Sequence, residues 1–204
     1  LVRAAVETTW AAMVPLKLKG WGKCRGDSGG IRIRGSDETP HVKGLGRALD
    51  GVPDGMVLNF DFNNFSTDCK LDPGFRGHCI YTVAVHEFGH ALGIAHEHNR
   101  PDTPGSCNDA PQGTNGDVMV GDWDLKSVMN YCNPEWGNAG VLSETDKETI
   151  RSAYRHITSG ESDSIDNKID GSDGADVIEG TDAVDNVRGL AGDDKISGLG
   201  GDDI

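Results

Sequence analysis

The amino-acid sequence predicts an α+β domain ending near Ile157, followed by an acidic repeat tail. Three patterns carry this expectation. Apolar residues recur at helical spacing in three segments and alternate with polar ones in shorter segments, and a nine-residue period takes over from Ser162.

The elements follow in order. Val2, Val6, Trp10 and Met13 mark one face of a helix over Val2 to Val14, which Pro15 closes. "LKLKGW" from Leu16 and "IRIR" from Ile31 alternate as half-buried strands do, and "GMVLNFDF" from Gly55 reads as a better buried strand. Between the last two, His41 to Leu49 is interrupted by glycines, which suits an edge or irregular strand. A second helix is expected from about Thr82 to Leu92, ended by Gly93. Asn99 to Gly121, rich in Pro, Gly, Asp and Asn, reads as a long loop. A third helix begins at Ser143, a candidate N-cap with acidic residues in the turn after it, and shows Ile150, Tyr154 and Ile157 on its apolar face.

Composition narrows the function. No run approaches the roughly 18 apolar residues of a membrane span. The formal net charge is −14, and Gly160 to Ile204 alone hold 13 acidic against 3 basic residues. Nucleic acid is therefore not an expected partner, and the acidic block must stay solvated or bind cations. Five cysteines favour an oxidising compartment, and none sits in a C-x-x-C pair, which argues against a cysteine zinc ribbon. The chain begins at Leu1 and not Met, so it is expected to be processed or a fragment.

The chemistry concentrates in "HEFGHALGIAHEH", His86 to His98. Residues four apart share a helix face, so His86 and His90 can point at one ion, with Glu87 close enough to reach a water there. The segment fills H-E-x-x-H-x-x-G-x-x-H at every fixed position, with Gly93 allowing the sharp exit that returns His96 as a third ligand. Three imidazoles favour one zinc ion with a fourth position left open. His78 and His98 have no motif position and are expected to face solvent or to stand behind the ligands, and His41 and His156 still more so.

Beyond His96 comes "SVMNY", a methionine-containing turn at Met129. With it the chain resembles the metzincin clan of zinc endopeptidases. "HEHNRPD", His96 to Asp102, is similar to the astacins, whereas the repeat tail resembles that of the serralysins; Glu97 departs from the Pro usual in the latter. The resemblance implies a metzincin-type domain over 1–158, with a mixed twisted sheet, active-site helix, Met-turn and C-terminal helix, lacking the family's first strand. It implies Glu87 as general base and Tyr131 as zinc ligand at rest and oxyanion donor in turnover. Met129 becomes a structural floor under the histidines. Glu97, Arg100 and Asp102 are expected to form a buried polar network. Asn130 replaces a family histidine and has no assigned role. Protein or peptide substrates are expected to pair with the edge segment His41 to Leu49.

Cys107 and Cys132 bracket the loop between His96 and Met129, and Cys69 and Cys79 could close a short loop before the zinc helix. Cys24 is then left over, either for a partner outside the sequence or as a thiolate capping the zinc.

From Ser162 the chain reads SDSIDNKID, GSDGADVIE, GTDAVDNVR, GLAGDDKIS and GLGGDDI. This matches the G-G-x-G-x-D-x-U-x repeat of calcium-binding parallel β-rolls. A disordered linker has no reason to keep an apolar residue at every ninth position. Residues 159–204 are therefore expected to begin a Ca²⁺-dependent roll in which Asp176 and Asp194 line one edge and Asp185 and Asp203 the other, burying Ile178, Val187 and Ile196. Two coils end mid-repeat, so further repeats are expected beyond Ile204. The whole reads as a secreted, monomeric zinc endopeptidase. The alternatives are a serralysin proper and a calcium-dependent binding or adhesion protein with a weak catalytic site; Glu87, the expected base, stands against the second.

Overall fold

The computed structural model describes residues 1–155, 167–181 and 185–198. It divides into two compact units, Leu1–Arg155 and His156–Ile204, and each is described by itself. His156, Ile157, Asp203 and the boundary expected at 158–159 lie outside the described residues.

In the first unit the expected N-terminal helix is two: α1 (Val2–Thr8) and α2 (Trp10–Met13). The break lies at Thr9, whose hydroxyl donates to the Ala5 carbonyl at 2.6 Å, as the Thr8 hydroxyl does to Ala4. Such back-bonding competes with the helix ladder and bends it. The apolar face survives the break. Ala5, Val6 and Trp10 are fully buried, and Trp10 Nε1 donates to the Val85 carbonyl on the back of the central helix.

The sheet is small: β1 (Ile33–Gly35) runs parallel to β3 (Met56–Leu58), and β2 (His41–Val42) antiparallel to it, in the order β1-β3-β2. β3 is buried throughout, as its apolar run predicts, and β2 is an edge. After Val42 the glycine-rich segment winds into a 3₁₀ turn, Gly46–Leu49. "LKLKGW" forms no strand. Leu16, Leu18 and Trp21 still pack on the core, but no neighbouring chain offers the ladder that alternation alone cannot supply.

α3 (Thr67–Leu71) leads into the central helix α4 (Pro73–Ala91), which begins nine residues earlier than expected. Its start signal is Asp72, whose carboxylate accepts from the Gly74 and Phe75 amides, with Pro73 in the first turn. A disulfide between Cys69 and Cys79 ties α3 to α4. α5 (Glu144–Ala153) closes the unit, capped at Ser143 by a reciprocal capping box with Asp146.

In the second unit β4 (Asn167–Asp170) pairs parallel with β6 (Asp185–Arg188), and β5 (Val177–Glu179) with β7 (Lys195–Ser197). Ile178 stands opposite Ile196, and Ile169 opposite Val187, an offset of eighteen residues or two repeats. Burial is less complete than expected. Ile178 is buried, Val187 is only partly covered, and Ile196 remains 51% exposed, because each two-stranded ladder leaves one face open.

Candidate active site

The site is assembled from three parts of the first unit: α4, the turn that ends it, and the segment Ser127–Tyr131. α4 carries His86 and His90 one turn apart. It ends in a Schellman turn in which the Gly93 amide donates to the His90 carbonyl and the Ile94 amide to that of Gly89. Gly93 sits at φ +93°, the left-handed region that a side chain would strain, and no neighbour crowds it. Its role is therefore backbone conformation alone, and that conformation carries the chain back to His96.

The three rings are held in one sense. Nδ1 of His86 donates to the Val128 carbonyl at 2.8 Å, that of His90 to Ile94 at 2.8 Å, and that of His96 to Gln112 at 3.0 Å. A carbonyl accepts only, so each Nδ1 carries the proton and each Nε2 a bare lone pair. Those bare atoms converge: Nε2 of His96 lies 3.3 Å from that of His86 and 3.1 Å from that of His90. Three acceptors facing one another cannot satisfy each other, and a cation at their focus can. All three rings are buried, and burial holds each imidazole below its usual pKa, His86 near 4, so they stay neutral as ligands must. The donor set fits zinc.

Glu87 is 4% exposed, and its Oε2 has no hydrogen-bond partner. Burial pushes its carboxyl up to about 8. Tyr131 lies across the cleft with its ring stacked between two imidazoles, 5.5 Å from that of His86 and 4.7 Å from that of His98. Burial, then the Glu87 carboxylate, raises its phenol to about 12, so it keeps its proton at neutral pH. His98 is thus not a surface residue. It is 2% exposed, and 4.9 Å separates its ring from that of His96.

Beneath the triad, Met129 is fully buried. A Cβ built on Gly89 would meet its sulfur at 2.5 Å and Trp10 at 3.1 Å. The motif leaves this position open, yet only hydrogen fits between α4, Met129 and Trp10. The turn bearing Met129 is anchored by Asp146, whose carboxylate accepts from the Ser127 hydroxyl at 2.7 Å, the Val128 amide at 3.0 Å and the Ser143 amide at 2.9 Å. The carbonyl of the same residue accepts from His86, so Asp146 and His86 hold the two backbone groups of Val128. Burial raises the Asp146 carboxyl above its usual value. Ser143 is legible in the sequence as a cap; the reach of Asp146 to the neighbouring turn is not. Asn130, 2% exposed, locks the turn by donating to the Asp124 carbonyl and accepting from the Cys132 amide.

Glu97 accepts from the Asp124 amide at 2.8 Å, and burial pushes it up to about 7. Arg100 lies 3.5 Å from it and pairs with Asp102 at 2.7 Å. Glu97 and Arg100 are nearly covered, but the Asp102 side chain is 42% exposed, so the expected network is buried at one end only. Cys107 and Cys132 are bonded, tying the loop that bears Gln112 to the segment after Met129; Cys24 is free and exposed.

The astacin family, peptidase family M12A, matches residues 74–107, the stretch that holds α4 after Pro73, the three converging histidines and Glu97. The chain is a zinc metallopeptidase. No curated protein matches it. Among solved structures it is similar to that of myroilysin, at 21% identity and a TM-score of 0.48, over 75% of this chain and 86% of that one.

Around the metallopeptidase's triad runs one cleft in two halves that share Glu87 and Tyr131. The first half lies along Thr39 to Leu45, including the edge strand β2, and faces His90 and His96. The second opens beside His86 towards Phe65 and Trp136.

In the second unit the Asp176 carboxylate accepts from the Ser172 amide and hydroxyl, Asp185 likewise from Thr181, and Asp194 from the Asp176 amide at 3.0 Å. Among the described residues no three acidic side chains converge there as the histidines do.

Proposed function

We propose that the chain is a secreted, monomeric zinc endopeptidase of astacin type that cleaves proteins or peptides bound in extended form along β2. The observation that carries this is the convergence of three bare imidazole nitrogens next to a buried, unpartnered carboxylate in an open cleft. His86, His90 and His96 hold the metal. Zinc, when bound, supplies Lewis acidity, polarising a carbonyl and bringing the pKa of water towards about 7. Glu87 takes the proton of the attacking water and delivers it to the leaving amine. Its burial supports this, since a carboxylate of raised pKa accepts and returns a proton near neutral pH. Tyr131 donates its phenolic hydrogen to the oxyanion; its half-exposed position beside His86 and its intact proton support that role. β2 offers its free edge to the substrate backbone, with the scissile bond held where the two cleft halves meet.

The match over residues 74–107 and the Glu that follows His96 favour an astacin-type over a serralysin-type catalytic domain. Two disulfides support an oxidising, extracellular setting, and no helix among the described residues is long and apolar enough to cross a membrane.

The tail is the start of a calcium-dependent β-roll, residues 159–204, with Asp176 and Asp194 serving one edge and Asp185 and Asp203 the other. The nine-residue period, the eighteen-residue register and the local excess of acid support this.

The direct test is hydrolysis of a mixed peptide library by protein stripped with chelator and then given zinc. Internal peptide bonds should be cut only after zinc returns, with activity saturating at one equivalent. Equal cleavage by the stripped protein would refute a zinc mechanism.

A further inference from the structure

We infer that His98 is a positioning residue: the face of its ring is the shelf that holds the Tyr131 ring in place for turnover. This rests on the peptidase reading, in which Tyr131 is the oxyanion donor, and deepens it. The histidine motif ends at His96 and assigns nothing to His98.

The need for a shelf comes from Tyr131 itself. Its side chain borders both halves of the cleft and is 40% exposed, so solvent leaves part of the ring unrestrained. A donor acts on the transition state only in the rotamer that reaches the oxyanion, and every other rotamer lowers the productive fraction. Three imidazoles border the ring. His96 meets it at an angle of 56°, whereas His86 and His98 lie close to parallel with it, at 25° and 21°. Of these two stacked rings His98 is the nearer, with centroids 4.7 Å apart against 5.5 Å. That is the offset stack aromatic pairs prefer.

His98 has no competing duty. His86 and His96 turn Nε2 to the focus of the triad and Nδ1 to a carbonyl. The His98 ring is just as buried and the Ala110 backbone approaches it, yet neither of its nitrogens meets hydrogen-bond geometry. Buried polar atoms without partners destabilise, so what this imidazole contributes lies in its face.

The shelf is also tied to the segment it serves. His98 is the middle residue of the 3₁₀ turn Glu97–Asn99. The Glu97 amide donates to the Met129 carbonyl at 3.0 Å, and its carboxylate accepts from the Asp124 amide. Asp124 in turn accepts from Asn130, the neighbour of Tyr131. On the far side Asn99 exchanges two hydrogen bonds with the Gln112 backbone. Shelf and tyrosine are thus fixed to one frame, bonded on both sides of the stack.

The test combines variants at position 98 with Tyr131→Phe, each loaded with zinc, on one peptide substrate. His98→Ala should bind one zinc and lose about tenfold in kcat with KM unchanged. His98→Phe, which keeps a flat ring, should recover most of that loss, whereas His98→Gln, which keeps polarity without the ring, should not. In the Tyr131→Phe background His98→Ala should cost less than about twofold, since no hydroxyl remains to be positioned. Fluorine NMR of fluorotyrosine-labelled protein reads the ring without turnover, and Tyr131→Phe identifies its signal among the three tyrosines. That signal should move towards the free amino acid in His98→Ala and His98→Gln and stay near wild type in His98→Phe. Equal kcat losses with and without the Tyr131 hydroxyl, rescue by Gln as good as by Phe, loss of zinc from His98→Ala, or an unmoved fluorine signal overturns the assignment. A fluorine signal that responds as expected in a protein that cleaves no peptide would instead overturn the peptidase reading and leave the shelf standing.

Discussion

Each histidine of the triad is fixed by a carbonyl from a different place: Val128 in the methionine turn, Ile94 in the turn after α4, and Gln112 in the long loop. Ring orientation thus rests on the protein's own backbone, and two small changes beside it can be tested. Tyr131→Phe removes only the hydroxyl and keeps the stack with His86 and His98. It should lower kcat by about 100-fold with little change in KM, since the lost donor acts on the transition state. A raised KM at unchanged kcat would make Tyr131 a ground-state binding residue. Gly89→Ala inserts one methyl against Met129 and Trp10. It should cost about 1–3 kcal/mol in chemical denaturation and weaken zinc binding, as α4 and the turn are pushed apart. A variant as stable as wild type would show that the methionine turn yields freely.

Among the elements, the joint between α5 and the methionine turn matters most. Asp146 accepts three hydrogen bonds with two oxygens and has no exposed face to fall back on. In Asp146→Asn one oxygen becomes a donor, and at least one buried N–H or O–H loses its partner. The expected cost is about 1–3 kcal/mol, with weaker zinc affinity because the Val128 carbonyl that orients His86 is released. Unchanged zinc affinity would confine Asp146 to capping. Sequence made the histidine triad legible because helical spacing and a glycine exit determine it locally. It hid the parts that depend on contact between distant segments: the carbonyl of Gln112, the buried ring of His98, the tight space at Gly89 and the reach of Asp146. The same divide holds for the fold. Gly93 and Ser143 marked helix ends through their own backbone chemistry. The Asp-Pro start of α4 is masked by the low-propensity Gly74 and Gly77, and the strand pattern of Leu16 to Trp21 finds no pairing neighbour.

At the scale of the whole molecule, two units with opposite economies share one chain. The first builds an apolar core around α4; the second has Ile178 as its one buried large aliphatic side chain among the described residues, and it carries most of the negative charge. Far-ultraviolet circular dichroism of the intact zinc-loaded chain should therefore gain β-signal between calcium-free buffer and millimolar calcium, as cations offset the repulsion among the tail's carboxylates. Identical spectra would remove calcium from the account. The central claim concerns the first unit, that a base beside three histidines hydrolyses peptide bonds. It is met most directly by assaying wild type, Glu87→Gln and His90→Ala side by side for zinc content and casein hydrolysis. Glu87→Gln should bind one zinc, melt like wild type and lose activity by several orders of magnitude, while His90→Ala loses the metal as well. A Glu87→Gln enzyme that cleaves casein at a rate near wild type contradicts the account.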